Sequence, residues 1–208
     1  LADCLASIYA TPTRCAFAVW VVDNASSDES VAMVRARFPQ VQLIVSPTNG
    51  GFAYGNNLAL RALLAGPAPD YVLLLNNDTV VPPGALDGLV DYFETHPEVA
   101  VVGPKLLLPD GSLDLACRRS FPSPAIAFYR MVGLARLFPR SPRFARYNLT
   151  YLDPDVETEV DAVVGACMLL RTTVIREVGL LDEQFFMYGE DLDWAYRIKQ
   201  YGWRIVYY

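Results

Sequence analysis

The chain has 208 residues, 53% of them hydrophobic and 19% charged, with a net charge of -6. Such a length and composition suit one folded domain with a substantial core and exclude a disordered chain. The negative balance disfavours generic nucleic-acid binding, and no apolar run reaches the roughly 18 residues of a membrane span.

Residues 1–10 place Leu1, Leu5 and Ile8 on one face of an amphipathic helix, so the chain reads as beginning in mid-unit. No basic segment followed by an apolar one precedes it, and neither a signal peptide nor an anchor is expected. The apolar run 17–22 is of strand length and ends at Asp23 and Asn24. Ser26 and Glu29 then have the spacing of a capping box for a helix whose Val31, Val34 and Phe38 share a face. With a strand at 41–45, this predicts a parallel βαβ unit with a right-handed crossover.

The loop SPTNGGFAYGNN, residues 46–57, leads into a helix that Gly66 and Pro67 end. Its glycines allow the backbone close to a ligand, but Gly50, Gly51 and Gly55 lack the GxGxxG spacing, so no dinucleotide site is expected. The stretch YVLLLNNDTVV, residues 71–81, follows. Tyr71, Val72, Leu73, Leu74 and Leu75 show no polar alternation, as expected of a strand buried on both faces of a largely parallel sheet. Such sheets bind ligands at the carboxyl ends of their strands, which is where Asn76, Asn77 and Asp78 fall. Asp78 offers a carboxylate for a hard divalent cation carrying a substrate diphosphate. The same residues, with Pro82 and Pro83 after them, also make an ordinary turn. A helix at 83–95 and a strand at 99–102 complete the first half.

The second half opens with a predicted hairpin over 105–116. Residues 115–152 then hold seven arginines and no acid, so the rest of the chain carries about -13 by difference. Apolar and aromatic residues interleave with the arginines. The segment suits either an anionic membrane surface or phosphorylated acceptor, or a solvated basic loop packed by its own aromatics. The run 160–170 is strand-like, with Gly165 as a point of close backbone approach, and Thr172 or Thr173 is placed to cap a short helix ending at Gly179. Gly189 precedes a final helix with Glu190, Asp191 and Asp193 in its first turn. These acids satisfy the helix dipole, and a carboxylate fixed there also suits a general base. Asp193 and Arg197 are spaced for an i, i+4 ion pair. The four cysteines, Cys4, Cys15, Cys117 and Cys167, form no CxxC pair and are expected as buried thiols in a reducing compartment. His96 is the only histidine, which argues against a histidine triad or zinc site.

In order, VVDNASSDES, NGGFAYGNN, LLLNNDTVV, VVGACMLLR and LLDEQFFMYGEDLDWAYR resemble glycosyltransferase family 2, particularly its rhamnosyltransferase-like bacterial members. The resemblance spans nearly the whole chain, with 115–155 least covered. It implies a GT-A fold: a Rossmann-like, mostly parallel central sheet flanked by helices, whose first strand would precede Leu1. One domain is expected, with a nucleotide-sugar half over 1–104 and an acceptor half over 105–208.

The resemblance also implies roles. Asp23 matches the acid that binds a pyrimidine base, whose ring N–H a carboxylate accepts well. Asn49, Gly51 and Asn57 match the loop lining the nucleoside, and Gly165 matches the segment beside the donor sugar. Asn76, Asn77 and Asp78 match the DxD-type motif that holds Mg2+ or Mn2+ on the diphosphate; because its first position is Asn76, Asp78 carries most of the ligation. Glu190 and Asp191 match the ED motif, in which the aspartate is the catalytic base. A downstream histidine that many members use for metal has no counterpart by Tyr208. The implied activity is an inverting, metal-dependent transfer from a UDP- or dTDP-sugar to a saccharide or lipid-linked acceptor. It would serve cell-surface polysaccharide synthesis in the cytoplasm, with peripheral membrane contact through 118–146. An inactive nucleotide-sugar-binding module is the alternative. A nucleotidyltransferase would need a basic phosphate loop, and SPTNGGFAYGNN has no basic residue before Arg61.

Overall fold

The computed structural model describes residues 1–208. Strand β1 (Trp20–Asp23) follows helix α1 (Ala2–Ala10), and helix α2 (Ser30–Arg37) connects it to β2 (Gln42–Val45). The β1–β2 pair is parallel, in register from Trp20 opposite Gln42 to Asp23 opposite Val45. Leu5 of α1, Val34 of α2, Phe38 and Val41 close a small core over this pair. The capping box does not form: α2 starts at Ser30 without a side-chain cap, because the Ser26 amide instead donates to the Asp23 carboxylate.

Helix α3 (Gly51–Leu64) leads to β3 (Tyr71–Leu75), α4 (Ala85–Thr95) and β4 (Val99–Gly103). The second half adds the short strands β5 (Arg118–Arg119), β6 (Thr158–Glu159) and β7 (Ala162–Val163), then β8 (Cys167–Arg171), and ends in β9 (Arg204–Tyr207). Helices α5 (Pro124–Met131) and α6 (Leu134–Leu137) fill the basic segment, and α7 (Thr172–Val178) and α8 (Glu190–Gln200) separate β8 from β9. The predicted hairpin over 105–116 reduces to a tight turn closed by one antiparallel bridge, Leu107 to Leu113. The run 160–170 is two strands, broken at Gly165 and Ala166. Helix α7 begins directly after Arg171 with no threonine cap.

The main sheet has the order β3-β8-β4-β9-β6. It is mixed, which corrects the expectation of a mostly parallel sheet: only β4–β9 is a parallel pair, and β8 runs antiparallel to both β3 and β4. The reason is topological, since β8 enters from the second half and fills the space between two strands of the first. Burial follows that order. β4 is buried at all five positions, whereas β3, at the sheet edge, fully buries only Val72 and Leu74.

Successive side chains of a strand face opposite sides. On β8, Met168 and Leu170 join the larger core with Trp194 and Ile198 of α8 and Val174 and Ile175 of α7. Leu169 faces the other way, toward Leu89, Tyr92 and Phe93 of α4. The sheet is thus covered on both faces, and its loops gather at the end where β1 and β3 stop and β8 starts.

Candidate active site

Each acid singled out in the sequence stands at a backbone terminus that the fold brings to this end. Asp23 closes β1 and is 7% exposed. Beside it, a cavity of about 80 Å³ is lined by Asp23, Ser26, Ser30 and Asn77 with apolar side chains of β1 and α2. The next residue, Asn24, fastens the glycine loop. Its Nδ2 donates to Asn49 Oδ1 (3.0 Å) and to the Gly51 carbonyl (2.9 Å), and its Oδ1 accepts from the Gly50 amide (3.1 Å). Asn49 Oδ1 also accepts from the Gly51 amide at 3.1 Å.

Gly51 has φ +88°, and a Cβ there would collide with the carbonyl of Phe186. The close approach lets the Phe52 amide donate to that carbonyl at 2.9 Å, joining the start of α3 to the loop before α8. Asn57, expected in the nucleoside loop, lies within α3 and is buried. Its side chain donates to the Leu181 carbonyl and the Glu183 carboxylate and accepts from the Leu181 amide. That amide group is fully engaged in holding the 181–183 segment, so its geometry is structural rather than ligand-facing.

Asn76, Asn77 and Asp78 follow the last residue of β3, and the Asn76 amide donates to the Ala166 carbonyl at 2.8 Å. Asp78 is exposed. No cluster of three or more metal-binding side chains is present. Asp78 itself offers one solvent-facing carboxylate. It fits a magnesium-like cation, which takes one or two carboxylates and fills its shell with phosphate and water, and does not fit a closed zinc site.

Gly165, one residue before Ala166, is buried, and its amide donates to Asp191 Oδ2 at 3.2 Å. A Cβ at Gly165 would lie 3.2 Å from the Phe52 ring and 3.8 Å from Asp191 Cβ, so this position has room only for glycine without adjustment. The 165–166 turn consequently touches both the Asp78 loop and the helix that carries Asp191.

Gly189, at φ +97°, turns the chain into α8, which buries Glu190 and Asp191 in its first turn. Tyr188 before it is also at positive φ (67°), an uncommon conformation for a bulky residue. Asp191 Oδ2 accepts from Arg119 at 2.6 Å, with both side chains 10% exposed, and Oδ1 accepts from the Leu192 amide at 2.8 Å. Arg119 in turn donates to the Val163 carbonyl at 2.9 Å. Its place on β5, antiparallel to β7, aims it at the first turn of α8. Glu190 is 6% exposed, and its Oε2 has no partner. Burial, with the adjoining Asp191 charge, pushes its pKa up from the usual glutamate value. Asp193 pairs with Arg197 at 2.8 Å, as the spacing predicts.

Neither Arg119 nor Asn24 is distinguished in the sequence as a site residue. Arg119 sits in an arginine-rich segment that reads either as a contact for a membrane or phosphorylated acceptor or as a solvated loop, yet both it and Arg118 are buried. Arg118 donates to the carbonyls of Leu152 and Asp153 and lies over the Tyr207 ring. The only local signal is their position in a short strand.

Comparison with known proteins agrees with this architecture. A model of "Glycosyltransferase like family 2" matches residues 1–208. An N-acetylglucosaminyl-diphospho-decaprenol L-rhamnosyltransferase of Mycobacterium tuberculosis is 33% identical over 196 residues, covering 91% of this chain and 63% of its own length. Among solved structures, GalNAc-T7 with UDP, GalNAc and Mn2+ superposes with a TM-score of 0.66 at 13% identity, over 98% of this chain and 38% of its own. The mannosyltransferase PcManGT of Pyrobaculum calidifontis, in complex with GDP-Man and Mn2+, gives a TM-score of 0.61 at 19% identity, over 98% of this chain and 49% of its own.

Proposed function

The chain belongs to glycosyltransferase-like family 2, and from that premise we propose that it moves a sugar from a nucleotide-diphosphate donor to an acceptor hydroxyl with inversion at the anomeric carbon. The observation that carries this reading is the meeting, at one end of the sheet, of Asp23, the Asn76–Asp78 loop and a buried, doubly held Asp191.

In this reading Asp23 accepts the ring N–H of a pyrimidine, beside the cavity it lines with Ser26 and Asn77. The loop that Asn24 fastens lies along the nucleoside, and Gly165, packed closely against the Phe52 ring and Asp191, lies beside the donor sugar. Asp78 would hold Mg2+ or Mn2+, which when bound offsets negative charge on the departing diphosphate. The metals and nucleotides of the two structural neighbours support that choice of cofactor and donor class.

Asp191 takes the proton of an acceptor hydroxyl as that oxygen attacks the anomeric carbon opposite the diphosphate. The new C–O bond forms, the bond to the diphosphate breaks, and its electron pair leaves with the nucleotide. Oδ2 is committed to Arg119 and Gly165, so Oδ1, with a spare lone pair, is the atom that receives the proton. Because the carboxylate is held at two points, orientation contributes more to its effect than basicity does.

The chain spans 63% of the length of the mycobacterial relative, whose name specifies an L-rhamnosyl group and a lipid diphosphate acceptor. Those words support rhamnosyl or related hexosyl transfer to a lipid-linked saccharide; in the same reading the transfer takes place at the inner face of the membrane and serves cell-surface glycan synthesis. The test is Asp191→Asn assayed with UDP- and dTDP-sugars. Sugar transfer is expected to be abolished while nucleotide-sugar binding stays measurable by thermal shift. Turnover retained in that variant removes Asp191 from the role of base, and binding without turnover in the unaltered full-length protein leaves a nucleotide-sugar-binding module.

A further inference from the structure

The basic segment folds into a two-helix projection whose outer surface is both apolar and cationic. Ser123 caps α5 by accepting from the Ile126 amide, Pro124 occupies its first turn, and Gly133 at φ +77° reverses the chain into α6. Ile126 alone among the residues of these two helices is buried. The opposite side exposes large apolar groups: Phe128 is 51% exposed, Met131 79%, Val132 47% and Leu137 69%. Phe128 lies three residues before Met131 and four before Val132, so the three share a face. An isolated exposed leucine needs no explanation, but a run of large side chains half or more uncovered on one small projection does.

The charges of this segment have one sign. Residues 115–152 hold no acid, and Arg130, Arg136, Arg140, Arg143 and Arg146 form no ion pair. Arg130 and Arg143 lie over the rings of Tyr147 and Tyr129, which stiffens the base of the projection. Arg136 and Arg140 are exposed beside Leu137. A water-facing protein surface gains nothing from such apolar side chains, and a protein partner would have to supply a matching acidic groove. A bilayer with anionic headgroups supplies both halves of the complement at once, acyl chains for the apolar groups and phosphates for the guanidinium groups.

We propose that the α5–α6 projection is a docking surface for an anionic lipid bilayer, with Met131 and Leu137 entering the interface and Arg136 and Arg140 meeting lipid phosphates. The projection is wired to the catalytic end of the fold. Only Ser120–Ser123 separates it from Arg119, and the Phe121 ring packs edge-on against Tyr196 of α8 at 5.5 Å. Docking there turns the end of the fold that carries Asp191 toward the membrane, where a lipid-borne hydroxyl would be presented. The surface stands apart from the catalytic assignment, because lipid binding is read without turnover.

The test is co-sedimentation of the full chain with phosphatidylglycerol–phosphatidylcholine vesicles against pure phosphatidylcholine vesicles. Two variants accompany it, Arg136→Ser with Arg140→Ser, and Met131→Ser with Leu137→Ser. All four residues are exposed, so circular dichroism and thermal midpoint should match the unaltered protein and report that the variants fold. Binding is expected to the anionic vesicles only and to weaken with salt. It should fall about five-fold for each arginine removed and be lost in the apolar variant as well. Absence of binding, equal binding to neutral vesicles, or full binding by both variants overturns the proposal. So does a concentration-dependent dimer that the Met131→Ser, Leu137→Ser variant abolishes, which would give the surface to a second copy of the chain.

Discussion

Arg119 and Asp191, 72 residues apart in sequence, form the one ion pair of the chain in which both side chains are only 10% exposed. Arg119 acts through Asp191 and is a positioning residue. Its removal leaves a buried carboxylate held by the Gly165 amide alone at Oδ2. Arg119→Ala should lower kcat about a hundred-fold or more, with KM for the nucleotide sugar nearly unchanged. It should also cost about 3 kcal/mol of stability, the usual result of breaking one side of a buried pair. Arg119→Lys should recover part of kcat. Steady-state kinetics beside urea unfolding checks both effects, and a rise in KM with kcat preserved would place Arg119 on the donor instead.

Glu190 carries a stability dependence on pH of definite sign. Its pKa in the fold is raised above the ordinary 4.5, so folding favours the protonated form. The stability this contributes is complete below 4.5 and is lost as pH rises through the folded value. Glu190→Gln keeps the neutral shape at every pH. The variant should equal the unaltered protein near pH 4 and exceed it in stability at pH 8, as read from urea midpoints at the two values. A gap that is constant with pH would contradict the raised pKa.

Gly51 is where the glycine loop meets the loop before α8. Gly51→Ala adds a methyl group into the Phe186 carbonyl at φ +88°, a conformation that alone costs an L-residue roughly 1–2 kcal/mol. With the collision added, the loss should reach about 2–4 kcal/mol, a fall of roughly 5–15 °C in Tm for a chain of this size. Scanning calorimetry measures it. The Gly165→Ala change, with contacts of 3.2 Å to a ring edge that is able to shift, should cost less in Tm and more in activity.

Asp78 should matter to metal-assisted nucleotide binding and little to folding, since it is exposed. Asp78→Asn is expected to weaken UDP binding in Mn2+ at least about ten-fold, and to leave binding in chelator nearly unchanged. Titration calorimetry in the two buffers separates these outcomes, and equal affinities in Mn2+ for variant and unaltered protein would move the ligation elsewhere.

Local patterns carried much of this site. Tyr71–Leu75 is a strand as its apolar run predicts, α8 starts at Gly189 with its three acids in the first turn, and α7 stops at Gly179. What stayed hidden depends on contacts far along the chain. Nothing near 167–171 encodes that β8 inserts antiparallel between β3 and β4. A capping box at Ser26 was a sound local inference, overridden by a carboxylate three residues earlier. An arginine among other arginines reads as one of a basic surface, and Arg119 becomes a site residue only once β7 and α8 surround it. Asn57 resembled a ligand contact because polar residues near a glycine loop share one composition, whichever way they turn.

The place of β8 and β9 on either side of β4 bears on how the chain is made. During synthesis β3 and β4 emerge long before β8 and β9, and they wait as apolar strands with unpaired edges until residues 167–207 arrive. A nascent chain stopped near residue 104 therefore holds the pieces of a sheet with no means of closing it. Such a product is expected to need chaperone shielding or to aggregate, and the slowest folding event should be the return of β8 and β9 to the sheet.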